Sequence, residues 1–239
     1  MLSGSWIVTG LTRWIHDECS DNFHRLKRLL NHLTSTRGEL TAVVRAYRCS
    51  VSKYVQPDTP LIIDLTDLAK PRAKKMKYLK MVHDCSEGKT VMGYWCVEVY
   101  AHLKNKRILP LALDVFSVDD PNVGSRNLQI DRTVKAVNES LEGAGIWVAG
   151  RGFDAINLYE TWFSPSCHFV IRQRGDRCVV TPNAVQIVQR DLAEHLRQKF
   201  AQAGLSTDVI FSKVYLPDHR KPLYLMASWR AGQKNRSYC

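Results

Sequence analysis

Leu61-Ile62-Ile63-Asp64-Leu65-Thr66-Asp67, followed at once by Lys70-Pro71-Arg72 and Lys74-Lys75, decides how this chain is read. An apolar run of this kind predicts a buried strand, here one that ends in the Asp64 carboxylate. A carboxylate so placed can hold a divalent cation against a phosphodiester, and the adjacent cations can neutralise neighbouring phosphates. The bland reading of Asp64 is a turn-forming or helix-capping residue, common after strands. A second stretch, Ile146-Trp147-Val148-Ala149-Gly150-Arg151-Gly152-Phe153-Asp154, is another apolar strand breaking into a turn. If these two strand ends build one metal site, the place for its next carboxylate falls on Gly150, which has no ligand atoms.

The charge balance points the same way. Among 239 residues, 34 Lys and Arg against 23 Asp and Glu leave a formal charge of +11, which suggests a polyanionic partner, nucleic acid first and an anionic membrane surface second. The cations cluster: residues 70–89 hold seven Lys or Arg and only Asp84 and Glu87 as acids. With 45% apolar residues, the chain can bury a real core. Seven cysteines without Cys-x-x-Cys spacing suggest reduced thiols in the cytosol and neither a disulfide framework nor a zinc ribbon. His83-Asp84-Cys85 and Cys167-His168 read as structural, because neighbours on a strand point to opposite faces and cannot converge on one ion. No run reaches membrane-spanning length and no export signal opens the chain, which reads as soluble and unexported.

The apolar spacing divides the chain. Residues 1–57 read as a helical region, with Phe23, Leu26, Leu30 and Leu33 on one face and Leu40, Val43 and Val44 starting another. Arg25, Lys27, Arg28, Arg45 and Arg48 on these helices could contact DNA or simply form a solvated face. Strands are predicted over 61–64, 91–100 and 108–118, the segment 88–107 forming a hairpin arm that turns at Lys104-Asn105-Lys106-Arg107. A helix over 126–141 buries Val134, Val137 and Leu141, and a short strand covers 146–149. Further on, strands are predicted over 168–172, 178–181, 209–216 and 223–229, with a helix over 186–203 carrying Val188, Leu192, Leu196 and Phe200. The fold class is α/β, with carboxylates at strand ends.

The run Ile62-Ile63-Asp64-Leu65-Thr66-Asp67-Leu68-Ala69-Lys70-Pro71, then Lys74-Lys75-Met76, Asp84-Cys85-Ser86-Glu87-Gly88 and Gly93-Tyr94, resembles the DDE transposases of bacterial insertion sequences. The later segments 147–154 and 167–176 resemble the branch with a strand-rich insertion inside a ribonuclease-H-like catalytic domain, and the resemblance covers roughly residues 20–230. It implies a ribonuclease-H-like core over 58–165, a strand-rich insertion with one helix over 166–230 and an irregular tail over 231–239, incomplete at the C-terminus. It also implies metal-dependent cleavage and strand transfer of double-stranded DNA at terminal inverted repeats, with magnesium or manganese as cofactor. The partners implied are DNA and a second copy or a full-length transposase, and the location is the bacterial cytoplasm, at the nucleoid.

Carried over residue by residue, the resemblance makes Asp64, at the end of the first core strand, the first catalytic carboxylate and metal ligand, with Thr66 and Asp67 in the turn just beyond it. The second catalytic Asp of the family precedes Arg-Gly-Phe-Asp, where this chain has Gly150 before Arg151-Gly152-Phe153-Asp154. Asp154 matches an accessory position and is the substitute ligand within reach of one helical turn. Lys70, Arg72, Lys74, Lys75 and Arg151 are the DNA-contacting candidates, with an ion pair to Asp154 or Glu160 as the alternative role for Arg151. The Tyr…Arg…Glu…Lys signature that carries the family's third carboxylate is not found, so this copy is expected to lack strand-transfer activity. Two further readings stand beside it: a non-catalytic DNA-binding remnant that occupies element ends, and an α/β protein whose basic patch meets RNA.

Overall fold

The computed structural model describes residue 24 and residues 37–84, 87–104, 106–204, 209–228 and 237–238. The chain divides into two compact units, Met1–Lys53 and Tyr54–Cys239. In the first, helix α1 spans Arg37–Ser52. Leu40 and Val43 on it are exposed, as is Arg45, whereas Arg48 is buried. The predicted face of Phe23, Leu26, Leu30 and Leu33 lies outside the described residues.

The second unit is built on one mixed sheet of β1 (Pro60–Ala69), β2 (Lys80–Asp84), β3 (Lys89–His102), β4 (Ile108–Phe116), β5 (Ile146–Ala149) and β6 (His168–Ile171). β1 is central, antiparallel to β3 on one side and parallel to β5 on the other. β6 pairs parallel to β5. The far side of β3 carries β2 along residues 89–93 and β4 along residues 95–102. β3 and β4 are joined by the tight connection predicted there, closed by Leu103 N donating to Arg107 O at 2.9 Å, with Lys106 at φ 62°; Asn105 lies outside the described residues.

Strand alternation sorts the sheet's side chains. Leu61, Ile63, Val97, Val99, Trp147 and Ala149 point to one face and are buried. Helix α2 (Arg126–Ser140) covers that face with Ile130, Val134 and Val137, and Ser125 caps its start, Oγ accepting from Leu128 N at 3.2 Å. Thr133 Oγ1 donates to Asp114 Oδ2 at 2.6 Å, and the Arg126 guanidinium lies 5.1 Å from the Trp95 ring centre. The opposite face bears Ile62, Leu68, Leu113, Val115, Val148 and Val170, every one of them exposed.

After β5 the chain makes two 3-10 turns (Arg151–Phe153 and Ile156–Leu158) and the short helix α3 (Tyr159–Trp162). Beyond β6 come β7 (Cys178–Val180), β8 (Gln186–Val188), helix α4 (Gln189–Gln202), β9 (Val209–Val214), β10 (Leu223–Ser228) and β11 (Ser237–Tyr238). Their core is Val179, Leu192, Val214 and Leu225, joined by Ile187, Leu196 and Leu223. Among the described residues, no helix is long and apolar enough to cross a membrane.

The architecture is mixed α/β as predicted, and the differences are instructive. β1 does not end at Asp64. It runs to Ala69, because β3 is long enough to pair with it as far as Ala69↔Gly93, which places Thr66 and Asp67 in the strand and not in a turn. Residues 186–188 are strand β8 on β7 and not the first turn of the helix, so Val188 stands at the cap of α4. β6, grouped by sequence with the strand-rich region, belongs by pairing to the main sheet. β2 went unpredicted, since Met81 and Val82 are its only apolar residues amid charge.

Candidate functional site

The candidate site lies on the exposed face of the sheet, where β1 and β5 part. Their parallel pairing runs from Pro60↔Ile146 to Ile63↔Ala149, so the next residues along the two strands are Asp64 and Gly150. Val148 shares a face with Ile62; continuing the alternation puts position 150 on the same face as Asp64. On the other side, β3 places Glu98 directly opposite Asp64. Cross-strand partners share a face, with Cβ atoms about 5 Å apart. Two carboxylates and a glycine therefore stand in a row across three strands.

Like charges directly opposed on a sheet repel, and each carboxylate here has a local donor that eases this. Leu65 N donates to Asp64 Oδ1 at 2.9 Å, and Tyr100 Oη donates to Glu98 Oε2 at 2.8 Å. The Tyr100 hydroxyl is pushed up to about 12, first by burial and then by its bond to Glu98. At Gly150 an added Cβ would meet no atom within 4 Å, and the backbone (φ −74°, ψ 176°) is ordinary extended chain. The glycine is required neither by space nor by conformation. Among the described residues, no group of three or more His, Cys, Asp or Glu side chains converges on a point.

The basic segment leaves the same strand. β1 ends at Ala69, and the loop opens with Lys70 N donating to Met92 O at 2.7 Å and Ala73 N donating to Lys70 O at 3.0 Å. Arg72, Lys74 and Lys75 are exposed and Lys70 is partly so. Among the described residues none of these four forms an ion pair; Lys80, at the end of the loop, pairs with Asp119. Their charge faces solvent. Arg151 is likewise exposed at the first turn after β5.

Asp154 has a different environment. It is buried, with its side chain only 2% exposed, and Arg177 NH2 lies 2.7 Å from its Oδ1. Arg177 Nε donates to the same oxygen at 2.9 Å and NH2 donates to the Asp154 carbonyl at 2.7 Å, while Tyr159 Oη donates to Oδ1 at 3.1 Å. The ion-pair partner of Asp154 is thus Arg177, not Arg151. Tyr159 is pushed up to about 12, by burial first and by the Asp154 charge second. Of the two groups set aside in the sequence, the pair Cys167-His168 diverges, Cys167 buried and His168 exposed; in the trio His83-Asp84-Cys85, Cys85 lies outside the described residues.

Sequence reasoning singled out Asp64 and Gly150, which the fold makes neighbours. It missed Glu98. The signal was a lone acid in the apolar alternation of 91–100, which becomes informative only with the β1–β3 register known.

No protein-family model matches the chain, and no curated protein matches it. Among solved structures, it is similar to a piggyBac transposase in the cryo-EM structure of a synaptic complex with hairpin DNA, at 14% identity and a TM-score of 0.47. The match covers 91% of this chain and 42% of that one, so the chain spans less than half of that transposase's length. A likeness of that degree establishes neither a shared fold nor a shared activity.

Proposed function

We propose that this protein binds double-stranded DNA, descends from the DDE transposases of bacterial insertion sequences through a ribonuclease-H-like core, and does not itself cut or join DNA. The observation that carries the reading is the adjacency of Asp64 and Gly150 at the parting of β1 and β5. The resemblance put the family's first and second carboxylates at these two positions from sequence alone, and the two positions, 86 residues apart in the chain, adjoin across two parallel strands. The exposed cations Arg72, Lys74 and Lys75, on the loop that continues β1, support a phosphate-contacting role beside that point.

The donor set does not fit a pair of divalent ions. Such a centre needs several carboxylates shared between two metals about 4 Å apart. Here Asp64 and Glu98 supply two, Gly150 supplies none, and Asp154 is held by Arg177 and Tyr159. No cleavage step is derived from this site. Terminal inverted repeats are the proposed target, and a full-length transposase or a second copy the proposed partner.

Fluorescence anisotropy on duplexes from the ends flanking the gene, against random duplex, tests the reading. Binding should weaken steeply with salt, by about 0.9 in the log–log slope for each phosphate neutralised. Joint replacement of Lys70, Arg72, Lys74 and Lys75 by alanine should flatten that slope by about 2 to 4. An unchanged slope would refute the DNA-contacting role of the loop. Magnesium-dependent nicking that disappears in Asp64→Ala would refute the loss of catalysis.

A further inference from the structure

The loop that joins β1 to β2, residues 70–79, carries Lys70, Arg72, Lys74, Lys75 and Lys77 and no acid. It has to cross β3, because β1 and β2 pair with the two edges of that strand and Ala69 and Lys80 both stand opposite Gly93. The crossing is tied down at three points. Lys70 N donates to Met92 O at 2.7 Å, the Tyr94 hydroxyl donates to Lys77 O, and Lys80 pairs with Asp119 just beyond the loop. Tyr94 is the cross-strand partner of Leu68 and shares its open face of the sheet. By alternation Asp64 lies on that face too, so the loop crosses on the side that carries the carboxylates.

Two apolar side chains stand among these cations. Met76 is 48% and Tyr78 45% exposed. Among the described residues, Tyr78 makes no hydrogen bond or ring contact. Single exposed side chains of this kind are ordinary, but the Tyr78 backbone is not. Its φ is 57°, in the left-handed region, where a bulky side chain crowds the main chain. Among the described residues, the other non-glycine positions with positive φ are Lys106, Glu142 and Ala184, and Tyr78 is the aromatic one. Burial does not offset this strain, since the ring faces solvent. Strain that packing does not repay is a mark of a side chain held out for a partner.

We infer that this loop binds DNA bases that lie outside a duplex: Tyr78 stacks on the face of an unpaired base while Lys74, Lys75 and Lys77 hold the flanking phosphates. The inference rests on the DNA-binding reading above and names the form of DNA. Cations alone suit any duplex, because phosphates line every duplex. An aromatic ring gains nothing from closed base pairs, whose faces are covered by their neighbours. It adds affinity where a base face is free, and does so whatever the base. Met76 extends the apolar surface beside the ring.

Three labelled probes test this on the whole protein by fluorescence anisotropy at one salt concentration: a closed duplex, the same duplex with a single-stranded thymidine tail, and that duplex with an abasic tail of equal length. The two tails carry the same phosphates and differ only in their bases. The thymidine tail should bind about tenfold more tightly than the abasic one. Tyr78→Ala, at an exposed position, should make the two tails equal while leaving closed-duplex affinity unchanged, and Tyr78→Trp should keep the difference. Equal affinity of the native protein for both tails, or a preference that survives Tyr78→Ala, would overturn the inference and leave duplex binding standing. Failure to bind any probe would overturn it together with the DNA-binding reading. A uridine RNA tail bound more tightly than the thymidine tail would assign the loop to RNA and overturn it as well. Should a variant fail to fold, the comparison of tails on the native protein decides alone.

Discussion

Asp154 and Gly150 are four residues apart, and their surroundings assign them opposite fates. Asp154 is sealed in with Arg177, so its carboxylate is committed to holding the first turn after β5 to the start of β7. Removing one member of a buried pair leaves an uncompensated charge, at a cost of about 3–5 kcal/mol. Arg177→Ala should therefore lower stability by that order in urea denaturation, and adding Asp154→Asn should recover part of the loss. If the double variant is no better than the single one, the pairing is not what stabilises the segment. Gly150 is the reverse case, with open space around it and an unstrained backbone. Gly150→Asp should change stability by less than about 0.5 kcal/mol, and by itself it should not create nicking activity. A large destabilisation would mean that repulsion from Asp64 and Glu98 outweighs the available room. Asp64 was legible as a strand carboxylate from the apolar run before it. Glu98 was not, because a cross-strand neighbour depends on register, which no local pattern specifies.

At the scale of elements, β3 governs the sheet. Its fourteen residues pair with β1, β2 and β4, and its length carries β1 five residues past Asp64. Gly93 is where the crowding is greatest: it pairs with Ala69 on one side and Lys80 on the other, and an added Cβ would lie 2.5 Å from the Leu68 carbonyl oxygen and 2.7 Å from Val82 Cγ2. The carbonyl is backbone of β1 and cannot swing aside. Gly93→Ala should cost about 1–3 kcal/mol by overpacking, measurable as a lower urea midpoint, with the β1–β2–β3 end of the sheet losing hydrogen-exchange protection first. Unchanged stability would show that β2 yields freely. The helix over 126–141 was readable in advance because Val134, Val137 and Leu141 recur at helical spacing; its Ser125 cap was seen only in the structure. The β8–α4 junction was not, since Gln186-Ile187-Val188 suits either a strand or a helical turn, and only pairing with β7 selects the strand.

At the scale of the second unit, the sheet has one covered face and one open one among the described residues. Helix α2 covers Leu61, Ile63, Val97 and Trp147, while Ile62, Leu68, Leu113, Val115, Val148 and Val170 lie exposed on four strands. An uncovered apolar sheet face is an association surface. The protein should self-associate at micromolar concentration in analytical ultracentrifugation, and Leu113→Lys with Val115→Lys should shift it toward monomer without lowering its melting temperature by more than a few degrees. A wild-type protein monodisperse as a monomer across that range would count against the exposed face. The amino-acid sequence by itself determined the α/β class, the central apolar strand with Asp64, the basic segment after it and the glycine at position 150. Periodicity, charge clustering and residue identity are local properties of a chain. Only the tertiary structure decided that Asp64, Glu98 and Gly150 stand in one row and that Asp154 is spent on Arg177. Each of these is a meeting of residues distant in sequence, set by strand register and packing, which no window along the chain encodes.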